Sequence, residues 1–301
     1  MLVTIKGMRM SRILLRIIVS VLFLFVSGGK GMAFPIPSEI KSIATYIFIN
    51  NGGKLIPNGT GFFVGLKNPS KQNNFSLYLV TAKHVLCTPG ATQVLDKIYI
   101  RLNKKGGGSE IGGIPLSAQG AKKTVFFHTD TSVDLAVIPV LPDEKKFDFK
   151  FISDEYIMPK EEFTNRILYE GAEVFFPSLF FPYTGVGELY PCVRFGRVAL
   201  LTDKKIEWQG KSADIYLAET GSCGGNIGAP VFFYPVSGGQ PILKLAGIME
   251  RSFGNEPLEI KIIEQRKASI PFSNVGISAV IPAYKLYEVL FSEELKQQRG
   301  F

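Results

Sequence analysis

Two histidines occur in the 301 residues, at positions 84 and 128. His84 ends an apolar run, Tyr78-Leu79-Val80-Thr81-Ala82-Lys83-His84-Val85. Asp134 opens another, Asp134-Leu135-Ala136-Val137. An imidazole and a carboxylate at strand ends can act together as a general base if the fold brings them into contact. The imidazole takes a proton from an attacking group, while the carboxylate fixes its tautomer and stabilises the imidazolium. A third segment, Cys223-Gly224-Gly225-Asn226-Ile227-Gly228-Ala229-Pro230-Val231-Phe232, places glycines just ahead of a strand pattern. Glycine there permits a backbone whose N–H groups can face a developing oxyanion. Alone, His84 reads as a packed or capping residue and Asp134 as a strand-edge carboxylate; together, and with that glycine segment, they read as machinery. His128 and Asp130 lie close to Asp134 in sequence, but only Asp134 begins the Asp-Leu-Ala-Val strand.

Upstream, Asn58-Gly59-Thr60-Gly61-Phe62-Phe63-Val64 completes a series of four motifs. In this order the chain resembles the trypsin/chymotrypsin-like serine proteases, especially bacterial exported members. Their signatures are G-T-G-F, T-A-x-H, D-[LIV]-A-[LIV] and G-[DN]-S-G-[GA]-P-[VL]. The similarity spans nearly all of residues 40–290. Pro191–Val198 resembles a strand-turn element of that family's second barrel, and Gly247-Ile248 and Gly276–Val280 its last two strands. The resemblance implies His84 as base, Asp134 as its orienting carboxylate, and Gly225 with the backbone of residue 227 as the oxyanion hole.

One position departs from the pattern. The nucleophile's place holds Ile227, and the flanks Gly225-Asn226 and Gly228-Ala229-Pro230-Val231 fix that register without a gap. Isoleucine carries no group that can attack, so the chain as written is expected to be an inactive homologue that retains a peptide-binding cleft. Two alternatives remain. In one, Gly221-Ser222-Cys223-Gly224-Gly225 resembles the G-x-C-G-G of viral cysteine proteases of the same fold, making Cys223 with His84 an alternative nucleophile pair, with Ser222 a weaker choice. In the other, Ile227 is a variant of an ordinary serine peptidase. Among Cys87, Cys192 and Cys223 the sequence leaves three possible bridges open. The resemblance implies Cys192–Cys223, with Cys87 buried near His84. His84 and Cys87 lack metal-ligand spacing, no phosphate loop is present, and neither metal nor other cofactor is expected.

Short strands must position these residues. Segments rich in Val, Ile, Phe and Tyr, bounded by Gly, Asn, Pro or Lys, recur from residue 44 to 140 and again from 172 to 281. Asn50-Asn51-Gly52-Gly53 supplies a hairpin turn. Leu286, Val289 and Leu290 mark one face of a terminal amphipathic helix. The expected fold is all-β: two packed six-stranded antiparallel β-barrels with a C-terminal helix. The expected organisation is 34–141 as first barrel, 142–165 as linker, 166–282 as second barrel and 283–301 as helix and tail. Phe175–Tyr183 is expected to pack into the second barrel, and Glu250 or Arg251 to line a side-chain pocket.

Residues 1–33 hold five cations, no acid and the apolar run Ile17–Val26. A ten-residue segment of this kind suits the h-region of a signal peptide, whereas a spanning helix needs about 20 apolar residues. Cleavage is expected after Ala33, giving a secreted or periplasmic protein with no membrane association afterwards. Without that segment the net charge of +8 falls to +3, so the basic balance does not indicate a nucleic-acid partner. The expected partner is a peptide or protein in a cleft between the barrels. Hydrophobic content of 46% excludes a disordered chain.

Overall fold

The computed structural model describes residues 36–68, 75–88, 93–117, 120, 122–180, 185, 187–208, 211–221, 225–237, 240–252, 258–262, 266–270 and 276–299. The expected leader, residues 1–33, lies outside them, as do Ser222, Cys223 and Gly224.

After a one-turn helix α1 (Ile40–Ile43), nine strands form the first sheet. They are β1 (Ala44–Asn51), β2 (Lys54–Lys67), β3 (Phe75–Ala82), β4 (Lys97–Lys104), β5 (Ser109–Pro115), β6 (Phe126–Phe127), β7 (Leu135–Pro139), β8 (Phe147–Asp148) and β9 (Ile152–Ser153). The main order is β5-β4-β1-β2-β3-β7-β6, with β8 on β4 and β9 parallel to β2. Gly52 and Gly53 take left-handed φ values of 59° and 86° and turn β1 into β2, which a β-carbon would oppose. Ile47, Phe63, Leu79, Ile98 and Ile138 come from five strands into one buried cluster. Each such side chain contributes about 1.5–3 kcal/mol relative to exposure. The sheet therefore coils until β4 and β7 share a core.

The second half is a closed antiparallel barrel, β10-β11-β14-β21-β18-β15. Its strands are β10 (Glu173–Ser178), β11 (Cys192–Leu200), β14 (Tyr216–Thr220), β15 (Pro230–Phe233), β18 (Lys244–Ser252) and β21 (Ile277–Pro282). The hairpins β12 (Ile206–Trp208) with β13 (Lys211–Ala213), β16 (Val236–Ser237) with β17 (Gln240–Pro241), and β19 (Leu258–Ile262) with β20 (Arg266–Ile270) pair separately. Closure occurs where Phe175 of β10 meets Phe232 of β15, their rings stacked at 5.6 Å. Phe175, Phe176 and Leu179 are buried, as the aromatic run implied.

The all-β, two-part architecture with a helical end is as expected, with three differences in detail. The first sheet's terminal strands, β5 and β6, share no ladder among the described residues, so side-chain packing draws it together. Pro115 ends β5, and β6 is only the two residues Phe126–Phe127, so neither edge offers a run of donors for such a ladder. The segment expected as a linker, 142–165, supplies β8 and β9 to the first sheet and the short helix α2 (Lys160–Thr164). The terminal helix is two helices, α3 (Ala283–Leu290) and α4 (Glu293–Arg299), interrupted at Phe291-Ser292. Leu286, Val289 and Leu290 are buried on the predicted face.

Candidate active site

Register brings the base to its carboxylate. β3 and β7 pair with Ala82 opposite Leu135, so the residues one step further along, Lys83 and Asp134, are neighbours. The Lys83 N–H donates to the Asp134 carbonyl at 3.1 Å. The chain then tightens into the 3₁₀ turn Lys83–Leu86, and the His84 N–H donates to Asp134 Oδ1 at 3.0 Å. His84 Nδ1 pairs with Asp134 Oδ2. Asp134 therefore holds both backbone and ring of the same residue, which leaves the imidazole one orientation. The Asn58 side-chain amide donates to Val85 O at 2.8 Å and fixes the turn from β2.

A second set of contacts places Asp134 itself. Asp130 Oδ1 accepts from the Ser132 N–H and hydroxyl, and the Val133 N–H donates to Asp130 O. Lys205, with these donors, holds the Asp130 carboxyl far below the usual carboxylate range. His128 is buried; its Nδ1 accepts from the Asp130 N–H and its Nε2 meets Glu288 of α3 at 2.7 Å. That arrangement assigns the ring proton to Nε2. His128 and Asp130 thus support the turn that delivers Asp134 and do not touch His84.

The glycine segment forms the opposite wall. Gly225 is buried with φ +102°, and a β-carbon there would lie 2.5 Å from Leu179 O. Thr60 spans the two halves: its hydroxyl donates to Gly225 O at 2.7 Å and accepts from the Leu179 N–H at 2.9 Å. Its N–H donates to Ile227 O at 2.8 Å, and its own carbonyl accepts from the Thr81 hydroxyl. Gly59 must be bare for β2 to pass so close, because a β-carbon would meet Val85 at 2.9 Å and Ile227 O at 3.1 Å. Asn226 is 1% exposed, and its Oδ1 accepts from the Ser178 hydroxyl and from Arg194.

Ile227 is half-buried and packs against the apolar cluster of the first sheet that includes Val85 and Leu86. His84 Nε2 is buried without a hydrogen-bond partner. An orphaned polar atom of this kind costs about 1–3 kcal/mol.

The structure thus brings His84 and Asp134 together and pins Gly225 and Ile227 in one turn. The alternative nucleophiles Cys223 and Ser222 lie outside the described residues. Cys192 is a free, half-buried thiol at the head of β11, in register with Ser178, so the bridge implied for it is not formed. Cys87 is 3% exposed on the His84 turn, where burial pushes its thiol pKa up. Glu250 is the buried member of the Glu250/Arg251 pair and sits at a bulge between Met249 and Arg251. No group of three His, Cys, Asp or Glu side chains that could hold a metal ion occurs among the described residues. Thr60, Thr81 and Asn226 stand within the motifs, and Arg194 within Pro191–Val198, but nothing in those patterns told that their side chains would bond across the site, and Ser178 stands only within the aromatic run.

No family model matches the chain, and no curated protein matches it. Among solved structures it is similar to a catalytically inactive tobacco etch virus protease complexed with substrate, at 12% identity and a TM-score of 0.46, covering 87% of this chain and 88% of that one.

Proposed function

We propose that this protein is an exported homologue of the trypsin-like serine endopeptidases that binds peptides between its two halves and does not cleave them. The observation that carries the reading is the contact of His84 with Asp134 beside a turn whose residue 227 has no nucleophile. His84 and Asp134 form a general base with a fixed ring, and the N–H groups of residues 225 and 227 serve as the oxyanion hole. In an active peptidase a hydroxyl at 227 would pass its proton to His84 Nε2 while attacking the scissile carbonyl. Ile227 supplies neither proton nor electron pair, so the sequence of steps cannot begin there. Residues 1–33 act as the export signal, and the chain after Ala33 works in solution without metal or cofactor.

The test compares the chain as written with Ile227→Ser on fluorogenic casein. Cleavage by the serine variant alone supports the reading. Cleavage by the chain as written overturns it and points to the second reading, in which the Cys223 thiol attacks with help from His84; loss of that activity on Cys223→Ala would establish the thiol.

A further inference from the structure

The first sheet ends on β5, a strand edge that no other strand covers among the described residues. At the two ends of the β4–β5 ladder the Lys104 N–H donates to Gly108 O at 2.9 Å and the Leu116 N–H to Asp96 O at 2.7 Å. Antiparallel ladders alternate, so Glu110, Gly112 and Ile114 turn their backbone groups toward β4, while Ser109, Ile111 and Gly113 turn theirs outward. The outward groups of Ile111 and Gly113 bond to nothing among the described residues. Natural edges are commonly guarded by Lys, an internal Pro or a bulge, which keep other strands off. β5 has none of these: its register on β4 is continuous, and its proline comes last. Its one charge, Glu110, is held by Lys146 at 2.6 Å. Apolar surface flanks the edge. Ile111 is 42% exposed and Leu141 is 87% exposed, and Leu141 stands with Ile114, Val140 and Phe147 along a groove of 290 Å³ between β5 and the end of β7.

We propose that β5 pairs antiparallel with β5 of a second copy of this chain, about a two-fold axis through Gly112. Such an isologous contact needs a surface that complements itself, and β5 is one. Across the axis Ile111 faces the partner's Gly113, and Gly113 faces the partner's Ile111. These are the residues whose backbone groups point outward, so each pair exchanges N–H···O bonds in both directions. Pro115, with no N–H to offer, falls at the margin opposite the partner's Ser109. Because Gly113 has no side chain, the partner's exposed Ile111 reaches the Tyr99 ring and the Lys97 methylenes beside it, where the Lys97 ammonium lies 5.1 Å from the ring centre. The remaining pair sets Glu110 opposite the partner's Ile114, so no like charges meet along the edge. Glu110 enters that contact already neutralised by Lys146. None of these residues belongs to the candidate active site, so the assembly stands apart from the peptide-binding reading.

The test is sedimentation velocity of the full chain across the micromolar range, with two variants. The parent is expected to sediment as a dimer. Ile111→Lys sets a cation beside the partner's Lys97 and is expected to weaken self-association at least about tenfold, with the urea midpoint unchanged because the side chain is exposed. Gly112→Cys reads the register directly. The two axis residues form a non-hydrogen-bonded pair, close enough for a disulfide, and a β-carbon at Gly112 meets nothing within 4 Å. Oxidation is expected to give an intermolecular bridge at position 112, located by mass mapping and lost when Ile111→Lys is added. A parent that stays monomeric throughout overturns the proposal, even if an added extended peptide then occupies the edge. A dimer that keeps its strength in Ile111→Lys also overturns it, since the interface then lies on another surface. Should Ile111→Lys fail to fold, the bridge decides: a dimeric Gly112→Cys chain that forms no bridge at 112 contradicts the pairing.

Discussion

The two walls of the site differ in how completely they are built. On the first-sheet wall every element needed for a base is present: Asp134 grips both the backbone and the ring of His84, and the 130–133 turn, His128 and Glu288 stand behind it. On the second-barrel wall the scaffold is equally well held, with Thr60, Ser178 and Arg194 fixing residues 225–227. Yet the side chain presented there is an isoleucine that packs into the first sheet's core. Under the proposed function, the contrast separates two things such a turn would do. Backbone placement is set by many hydrogen bonds and survives a change at one position, whereas nucleophilicity depends on a single oxygen or sulfur.

If that separation is right, restoring one atom should have the largest effect. Ile227→Ser is expected to raise casein hydrolysis by at least about 10³-fold, given that loss of a triad serine costs about 10⁶ in kcat elsewhere. Its packing loss should cost about 1–2 kcal/mol by urea unfolding, because Ile227 is only half-buried. Adding Asp134→Asn to that variant should lower kcat by about 10⁴ with little change in KM, since the ring would lose its tautomer and not its binding surface. A change in KM alone would show that Asp134 only shapes the cleft.

The scaffold should respond in stability. Thr60→Val keeps the shape of the side chain but removes the donor to Gly225 O and the acceptor for the Leu179 N–H, both buried. The expected loss is about 1–3 kcal/mol in urea melts, and an unchanged midpoint would break the claim that Thr60 joins the two walls. The smallest effect belongs to Asp130. Its carboxyl is held below its ordinary pKa of 3.8, chiefly by Lys205 and then by Ser132, so the folded form favours the charged state. The stability this adds is fully present above that ordinary value and is lost as pH falls below it. Because the pair with Lys205 lies near the surface, the amount is under about 1 kcal/mol. Asp130→Asn should therefore be less stable than the parent at pH 6, and the gap should narrow as pH falls below 3.8 in parallel urea melts.

What could be read from the sequence follows the same division. His84 and Asp134 each sit at the end of a strong strand pattern, and the register of β3 on β7 delivers the contact that such ends imply. Gly225 was legible because its backbone requires glycine. The bonds made by Thr60, Thr81, Ser178, Arg194 and Asn226 were not, although three of these residues stand within the motifs, because their partners lie 21 to 165 residues away and no local period marks a side chain that will cross between strands. The 142–165 segment read as a linker because two-residue strands such as β8 and β9 are too short to show alternation amid its charges and prolines. The helix break at Phe291-Ser292 is visible only afterwards, where the Ser292 hydroxyl accepts from the Leu295 N–H and starts α4.

The central claim, that a complete acyl-transfer framework lacks one side chain, is met most directly by a fluorophosphonate probe followed by peptide mass mapping. The account predicts no adduct on the chain as written and a single adduct at position 227 in Ile227→Ser, lost again when His84→Ala is added. Labelling of the chain as written, or a serine variant that stays unlabelled while folded, would contradict it.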